Sequence, residues 1–171
     1  MLDTSLRQLR NVTLGGITGS ALTFFEPNDT FFTALTGYRD RMLVDAGAGM
    51  GHVSVQGTAR GLNMLPVDIM PRYGQSDKVM LVEAESLPYG EHLWLLLCRP
   101  DHSGWAYDTM ELALRRGAGV FYAGLERNFD CDLGDYVGRE TKRWANVGEE
   151  GEDLFLFMPS ALLPALDDED F

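Results

Sequence analysis

Met42-Leu43-Val44-Asp45-Ala46-Gly47-Ala48-Gly49-Met50-Gly51 is the stretch on which the fold turns. A short apolar run, 42–44, leads into a glycine-rich segment, 45–51, and the pattern beyond it predicts a helix over 52–60. Gly61 then stands where a left-handed residue ends a helix. Glycines between a strand and a helix permit a tight turn and let backbone amides approach a ligand closely. In the first unit of a doubly wound sheet this loop lies at the carboxyl end of its strand, where ligands bind. A purely structural turn would need glycine equally, so the loop takes its meaning from what surrounds it.

Outward from the loop the chain alternates. Further apolar runs at 62–68, 79–82 and 120–122 read as strands, and Leu93-Trp94-Leu95-Leu96-Leu97-Cys98 is continuous enough for burial on both faces. A helix is expected over 105–116, with Met110, Leu112, Ala113 and Leu114 available for packing. The last pair of strands, 141–147 and 154–158, is separated by Gly148-Glu149-Glu150-Gly151-Glu152, a plausible hairpin connection. Strands alternating with helices and closing in a hairpin predict an α/β fold: one doubly wound domain over 41–160, mainly parallel, with a C-terminal antiparallel hairpin. Residues 1–40 read as a helical and loop appendage or lid. It holds a short helix near 3–11 and a turn capped by Asn28 or Asp29, and its Phe24-Phe25 and Phe31-Phe32 pairs need a larger surface to pack on. Residues 161–171 read as an acidic tail.

Three features beside the loop point to a ligand. Asp68 ends the second strand, where an acid accepts hydrogen bonds from ribose hydroxyls. Glu83-Ala84-Glu85-Ser86-Leu87-Pro88 follows the third strand, and Asp45 ends the first. With these in place the sequence resembles the class I S-adenosylmethionine-dependent methyltransferases. Their first motif, an acid followed by x-Gly-x-Gly-x-Gly, is matched by Asp45, Gly47, Gly49 and Gly51. The resemblance implies a loop wrapped around the methionine part of S-adenosylmethionine, with Asp68 on the ribose. It also places Glu83 and Ala84 near the adenine, Glu standing where the family often has Asp. It covers about residues 40–158, hairpin included, and implies a small Rossmann-like transferase.

Nicotinamide dinucleotide binding is the nearest competitor. Its G-x-G-x-x-G fingerprint would need glycine where His52 stands. Walker-type phosphate binding lacks its Lys-Ser/Thr.

Acceptor-facing groups in the resembled fold often follow the fourth strand, here Cys98-Arg99-Pro100-Asp101-His102-Ser103-Gly104-Trp105. Many amino-directed nucleic-acid methyltransferases carry Asp/Asn-Pro-Pro-Tyr/Phe there, and this chain does not. His102 is the candidate general base, since imidazole titrates near neutrality; as a surface histidine it would have no role. Arg99 and Asp101 are candidate substrate contacts; the alternatives are a local ion pair between them and, for Asp101, a helix cap. Trp105 and Tyr107 either line a pocket or pack, and Cys98 reads as a small core residue. No His or Cys spacing suggests a metal.

Composition bounds the rest. The chain has 171 residues, 45% hydrophobic and 23% charged, with a formal net charge of −12. That is too apolar for disorder and long enough for a core without staples. No apolar run approaches the roughly 18 residues of a membrane helix, and the N-terminus lacks a signal-peptide layout. Two cysteines, Cys98 and Cys131, suit a reduced, cytoplasmic setting. Residues 144–171 hold eight acids and no Lys or Arg, so −8 of the −12 belongs to that end. Nucleic acid is not favoured as a partner, because phosphate neutralisation needs Lys and Arg and the acceptor motif is missing. The expected activity is therefore S-adenosylmethionine-dependent methyl transfer to a small-molecule or protein acceptor. A degenerate fold acting as a cofactor-binding or interaction module, with a protein partner or a second copy of the chain, is the alternative.

Overall fold

The computed structural model describes residues 25–100, 104–125 and 137–160. Its strands are β1 (Met42–Ala46), β2 (Asn63–Asp68), β3 (Met80–Leu81), β4 (Leu93–Cys98), β5 (Val120–Gly124), β6 (Gly138–Trp144) and β7 (Asp153–Pro159). They form one seven-stranded sheet in the order β3-β2-β1-β4-β5-β7-β6. The first five pair in parallel; β7 runs antiparallel to both β5 and β6. Three α-helices lie among the described residues: α1 (Asp29–Leu35), α2 (His52–Ala59) and α3 (Trp105–Arg115). This is the expected doubly wound sheet with its terminal hairpin. The order reverses at β1, so the β1 and β4 ends form the crevice where such sheets bind ligands.

Each element has a local cause. Asn28 caps α1 by accepting from Phe31 N, and Gly61 and Gly117, at φ +82° and +84°, follow the ends of α2 and α3. On α3, Ala106, Met110, Ala113 and Leu114 recur at helical spacing and are all fully buried. β4 is apolar throughout because both its faces are covered: Leu95, Leu96 and Leu97 have no exposed surface. Residues 25–38 belong to the same core. Phe25, Phe31, Phe32 and Leu35 are buried in it, and Tyr38 meets Phe121 edge-on at 5.0 Å and Trp94 at 5.6 Å. The proposed helix near 3–11 and the acidic tail lie outside the described residues.

Two elements differ from their sequence expectation. β3 has only two residues, Met80–Leu81, where the apolar run suggests a strand over 79–82. β6 begins three residues earlier than its apolar pattern suggests, because Arg139 to Arg143 are all exposed on an edge strand and leave no hydrophobic signal. Its charges and the irregularity between Glu140 and Lys142 suit an unpaired edge. At the other end, Asn146 turns at φ +53°, and Val147 and Gly148 pair with residues 27–28 instead of β7.

Core and edge should respond differently to truncation. Phe31→Ala is expected to cost about 3–5 kcal/mol, whereas Thr141→Ala should stay within about 0.5 kcal/mol. Urea denaturation of both variants measures this; similar costs would contradict the burial described for α1.

Candidate functional site

The glycine loop leaves β1 at Ala46 and enters α2 at His52. Gly47, Gly49 and Gly51 all take positive φ, at +68°, +59° and +82°. A side chain at any of the three is strained. Gly51 has a second reason: a Cβ there would lie 2.8 Å from Val79 Cγ2. At Gly47 a Cβ would come within 3.0 Å of the Trp105 indole, which brings the start of α3 over the loop. Gln75 Nε2 donates to Gly49 O at 2.6 Å, and Ser76 N donates to Met50 O at 3.0 Å. The turns after β2 thus brace the loop from the side.

The two acids of the motif converge on it. Gly49 N donates to Asp68 Oδ2 at 2.8 Å, and Met70 N donates to Asp68 Oδ1 at 2.9 Å. Each Asp68 oxygen keeps a lone pair for a further donor, the chemistry that a ribose diol satisfies. Asp45 is buried and accepts from Ser54 Oγ at 2.7 Å. Burial chiefly pushes its carboxyl up to about 6; the Ser54 hydrogen bond lowers it and the nearby Asp68 charge raises it. Ser54 gives no motif signal, because a small polar residue on a buried helix face becomes legible only once its partner is known.

The remaining sequence candidates separate. Glu83 is exposed at the start of a 3-10 turn, Ala84–Ser86, whose Ala84 is buried and accepts from the Tyr89 hydroxyl at 2.8 Å. His102 and Asp101 lie outside the described residues. Arg99 leaves β4 at φ +44° and turns its guanidinium onto Glu150 and Glu152, at 3.2 Å from the latter. Glu152 is fully buried, and nothing in the acidic run 149–152 distinguishes it by sequence. The Cys98 thiol is held well above its ordinary value by burial, then by Asp45 and Glu152, so it is a poor nucleophile. Among the described residues no cluster of three or more His, Cys, Asp or Glu suits a metal ion, and no helix is long and apolar enough to cross a membrane.

Solved structures share this architecture. The fold is that of the class I S-adenosylmethionine-dependent methyltransferases. A Synechocystis PCC 6803 magnesium protoporphyrin IX methyltransferase with bound S-adenosylhomocysteine is 13% identical at TM-score 0.57, covering 92% of this chain and 99% of its own. TrmN from Thermus thermophilus is 15% identical at TM-score 0.56; the match takes in 88% of this chain and 52% of that larger one. A putative type 11 methyltransferase from Sulfolobus solfataricus is 14% identical at TM-score 0.55, over 80% and 94% of the two chains. No protein-family model and no curated protein matches the sequence. The methyltransferase fold is thus shared by chains whose sequences have largely diverged.

Asp45 gives this methyltransferase-fold cleft a measurable pH dependence. A carboxyl raised in the folded state contributes stability that is complete below its unfolded value of 3.8 and lost as pH rises through about 6. Asp45→Asn should therefore stabilise the free protein, and its advantage should grow by about 1 kcal/mol between roughly pH 5.5 and pH 8. Denaturation curves at the two values test this; an advantage that does not grow with pH would contradict a raised Asp45.

Proposed function

We propose that the protein is an S-adenosylmethionine-dependent methyltransferase acting on a small-molecule or protein acceptor. The observation that carries this reading is the pairing of a left-handed glycine loop with two carboxylates, Asp45 and Asp68, joined by the Gly49–Asp68 hydrogen bond. That donor set fits the cofactor. Asp68 has acceptor capacity for ribose hydroxyls and Asp45 offers negative charge to a cationic amino acid and sulfonium, while the family resemblance assigns Glu83 and Ala84 to the adenine side. A dinucleotide is the weaker fit, because its G-x-G-x-x-G fingerprint would need glycine where His52 stands.

Bound S-adenosylmethionine would supply a methyl group on a positively charged sulfur. The protein's part is mainly positional, since in-line displacement needs the acceptor held behind the methyl carbon. Gly47, Gly49 and Gly51 shape the loop, Asp68 fixes the ribose, and the indole of Trp105 closes over Gly47. His102 is the proposed base where the acceptor must lose a proton during attack, with Asp101 as the proposed acceptor contact. Arg99 is spent on Glu150 and Glu152, which weighs against recognition of an anionic acceptor through it. The two cysteines accord with a cytoplasmic setting. Residues 1–40 are the proposed appendage or lid; of these, residues 25–38 pack into the core of the sheet domain. The degenerate-fold alternative has no observation in its favour.

Calorimetry with S-adenosylmethionine, S-adenosylhomocysteine and NAD tests the reading. Both adenosyl compounds should bind and NAD should not, with Asp68→Ala weakening the adenosyl ligands by about tenfold or more, the scale of one or two charge-assisted hydrogen bonds. Tight NAD binding without response to either adenosyl compound would overturn it. Label transferred from methyl-tritiated cofactor to a fraction of cell extract, and lost in His102→Ala, would identify His102 as the base.

A further inference from the structure

Arg99 sits in left-handed geometry immediately after β4, and its own N–H extends the ladder by donating to Ala123 O at 2.8 Å. Its side chain, only 12% exposed, reaches Glu150 and the fully buried Glu152 on the β6–β7 turn. Glu152 in turn shapes that turn: its Oε2 accepts from Glu150 N at 3.0 Å, and its backbone O accepts from Val147 N at 2.8 Å. A Cβ on Gly148 would lie 2.2 Å from the same carboxylate, so the backbone is drawn tightly over it.

The turn is then tied to the segment that precedes α1. Asn28 N donates to Val147 O at 2.9 Å, Glu149 N donates to Glu26 O at 3.1 Å, and Pro27 bridges Gly148. At the far end of this strap, Phe25 O accepts from His52 Nε2 at 2.8 Å, and His52 is the residue that follows the glycine loop. Contacts therefore run without a break from the end of β4, through the hairpin turn and the 25–28 strap, to the first residue of α2. The chain of contacts starts close to the β1 carboxylate, since Asp45 pairs with Leu96 in the β1–β4 register, three residues before Arg99.

We propose that Arg99 is a positioning residue: by clamping Glu152 and Glu150 it holds the β6–β7 turn and the 25–28 strap against the glycine loop, and so sets the shape of the cofactor cleft. Two features favour this over simple stability. A non-glycine residue in left-handed geometry at a strand end costs energy that surrounding structure must offset, and such residues gather at functional sites. A buried ion pair such as Arg99–Glu152 is weak as a stabiliser, which leaves the fixing of one arrangement as the role proposed for it here. The proposal rests on the methyltransferase reading only for its cofactor readout.

The test uses the full chain with Arg99→Met/Glu152→Gln, which removes both charges and leaves no orphaned buried ion, and Arg99→Lys as the conservative variant. Amide hydrogen exchange is read at Asn28 and Glu149, the donors of the strap, and at Leu95 to Leu97 in β4; calorimetry reads S-adenosylhomocysteine binding. The double variant should raise exchange at Asn28 and Glu149 by about tenfold or more, leave the β4 amides at wild-type protection, and weaken the ligand about fivefold or more. Arg99→Lys should recover part of both effects. Unchanged strap exchange, or β4 amides that loosen by the same factor, would overturn the proposal. Loosened strap amides with unchanged ligand affinity would likewise overturn the link to the cleft. If the wild-type protein binds neither adenosyl compound, the methyltransferase reading fails, and the exchange data alone decide whether Arg99 holds the strap.

Discussion

The hydrogen bond from Gly49 N to Asp68 Oδ2 is the contact around which the molecule is arranged. For it to form, β1 and β2 must be neighbours in parallel register, with Ala46 beside Val67. The loop between β1 and α2 must also present an amide toward β2, which three left-handed glycines allow and side chains would obstruct. The rest of the architecture supplies the walls. α3 begins with Trp105 on Gly47, the turns after β2 brace Gly49 and Met50, and the strap before α1 reaches His52.

Charge adds a second constraint. Among the described residues Asp45, Asp68, Glu26 and Glu152 are all buried; Arg72 Nε lies 4.0 Å from Asp68 Oδ2, and the Arg99 guanidinium is committed to Glu150 and Glu152. Ionised Asp45 is costly in the free protein, as its raised carboxyl shows, and a cationic ligand would lower that cost. The account thus explains why an acid should occupy the buried end of β1 when a hydrophobic residue would pack there at less expense. On the proposed reading, that local cost to stability would be offset by affinity toward a positively charged ligand.

The legibility of the fold in the sequence followed burial. β4 declared itself because both faces are covered, and the loop declared itself because Gly47, Gly49 and Gly51 sit between a buried strand and a helix. β6 was misplaced by three residues because an exposed edge strand carries charge where an internal one carries apolar side chains. Around the loop, Asp45 stood out through the resemblance of its motif and Asp68 through its place at the end of the second strand, and the structure brings both carboxylates to the loop. Ser54, Glu152 and the strap did not stand out, since each acquires a role only through a partner many residues away, as Glu152 does through Arg99. The partners of Arg99 show the same limit: Glu150 and Glu152 lie more than fifty residues along the chain, and the β6–β7 turn that carries them is brought beside β4 by the sheet.

The central claim is that the crevice between the glycine loop and Asp68 holds an adenosyl cofactor. A crystal structure of the protein grown with S-adenosylhomocysteine tests it most directly. The account predicts density along the 47–51 loop, with both ribose hydroxyls on the Asp68 carboxylate and the ligand's ammonium on the Asp45 side. Density for the ligand elsewhere on the protein, with the loop and Asp68 unchanged and empty at saturating ligand, would contradict it.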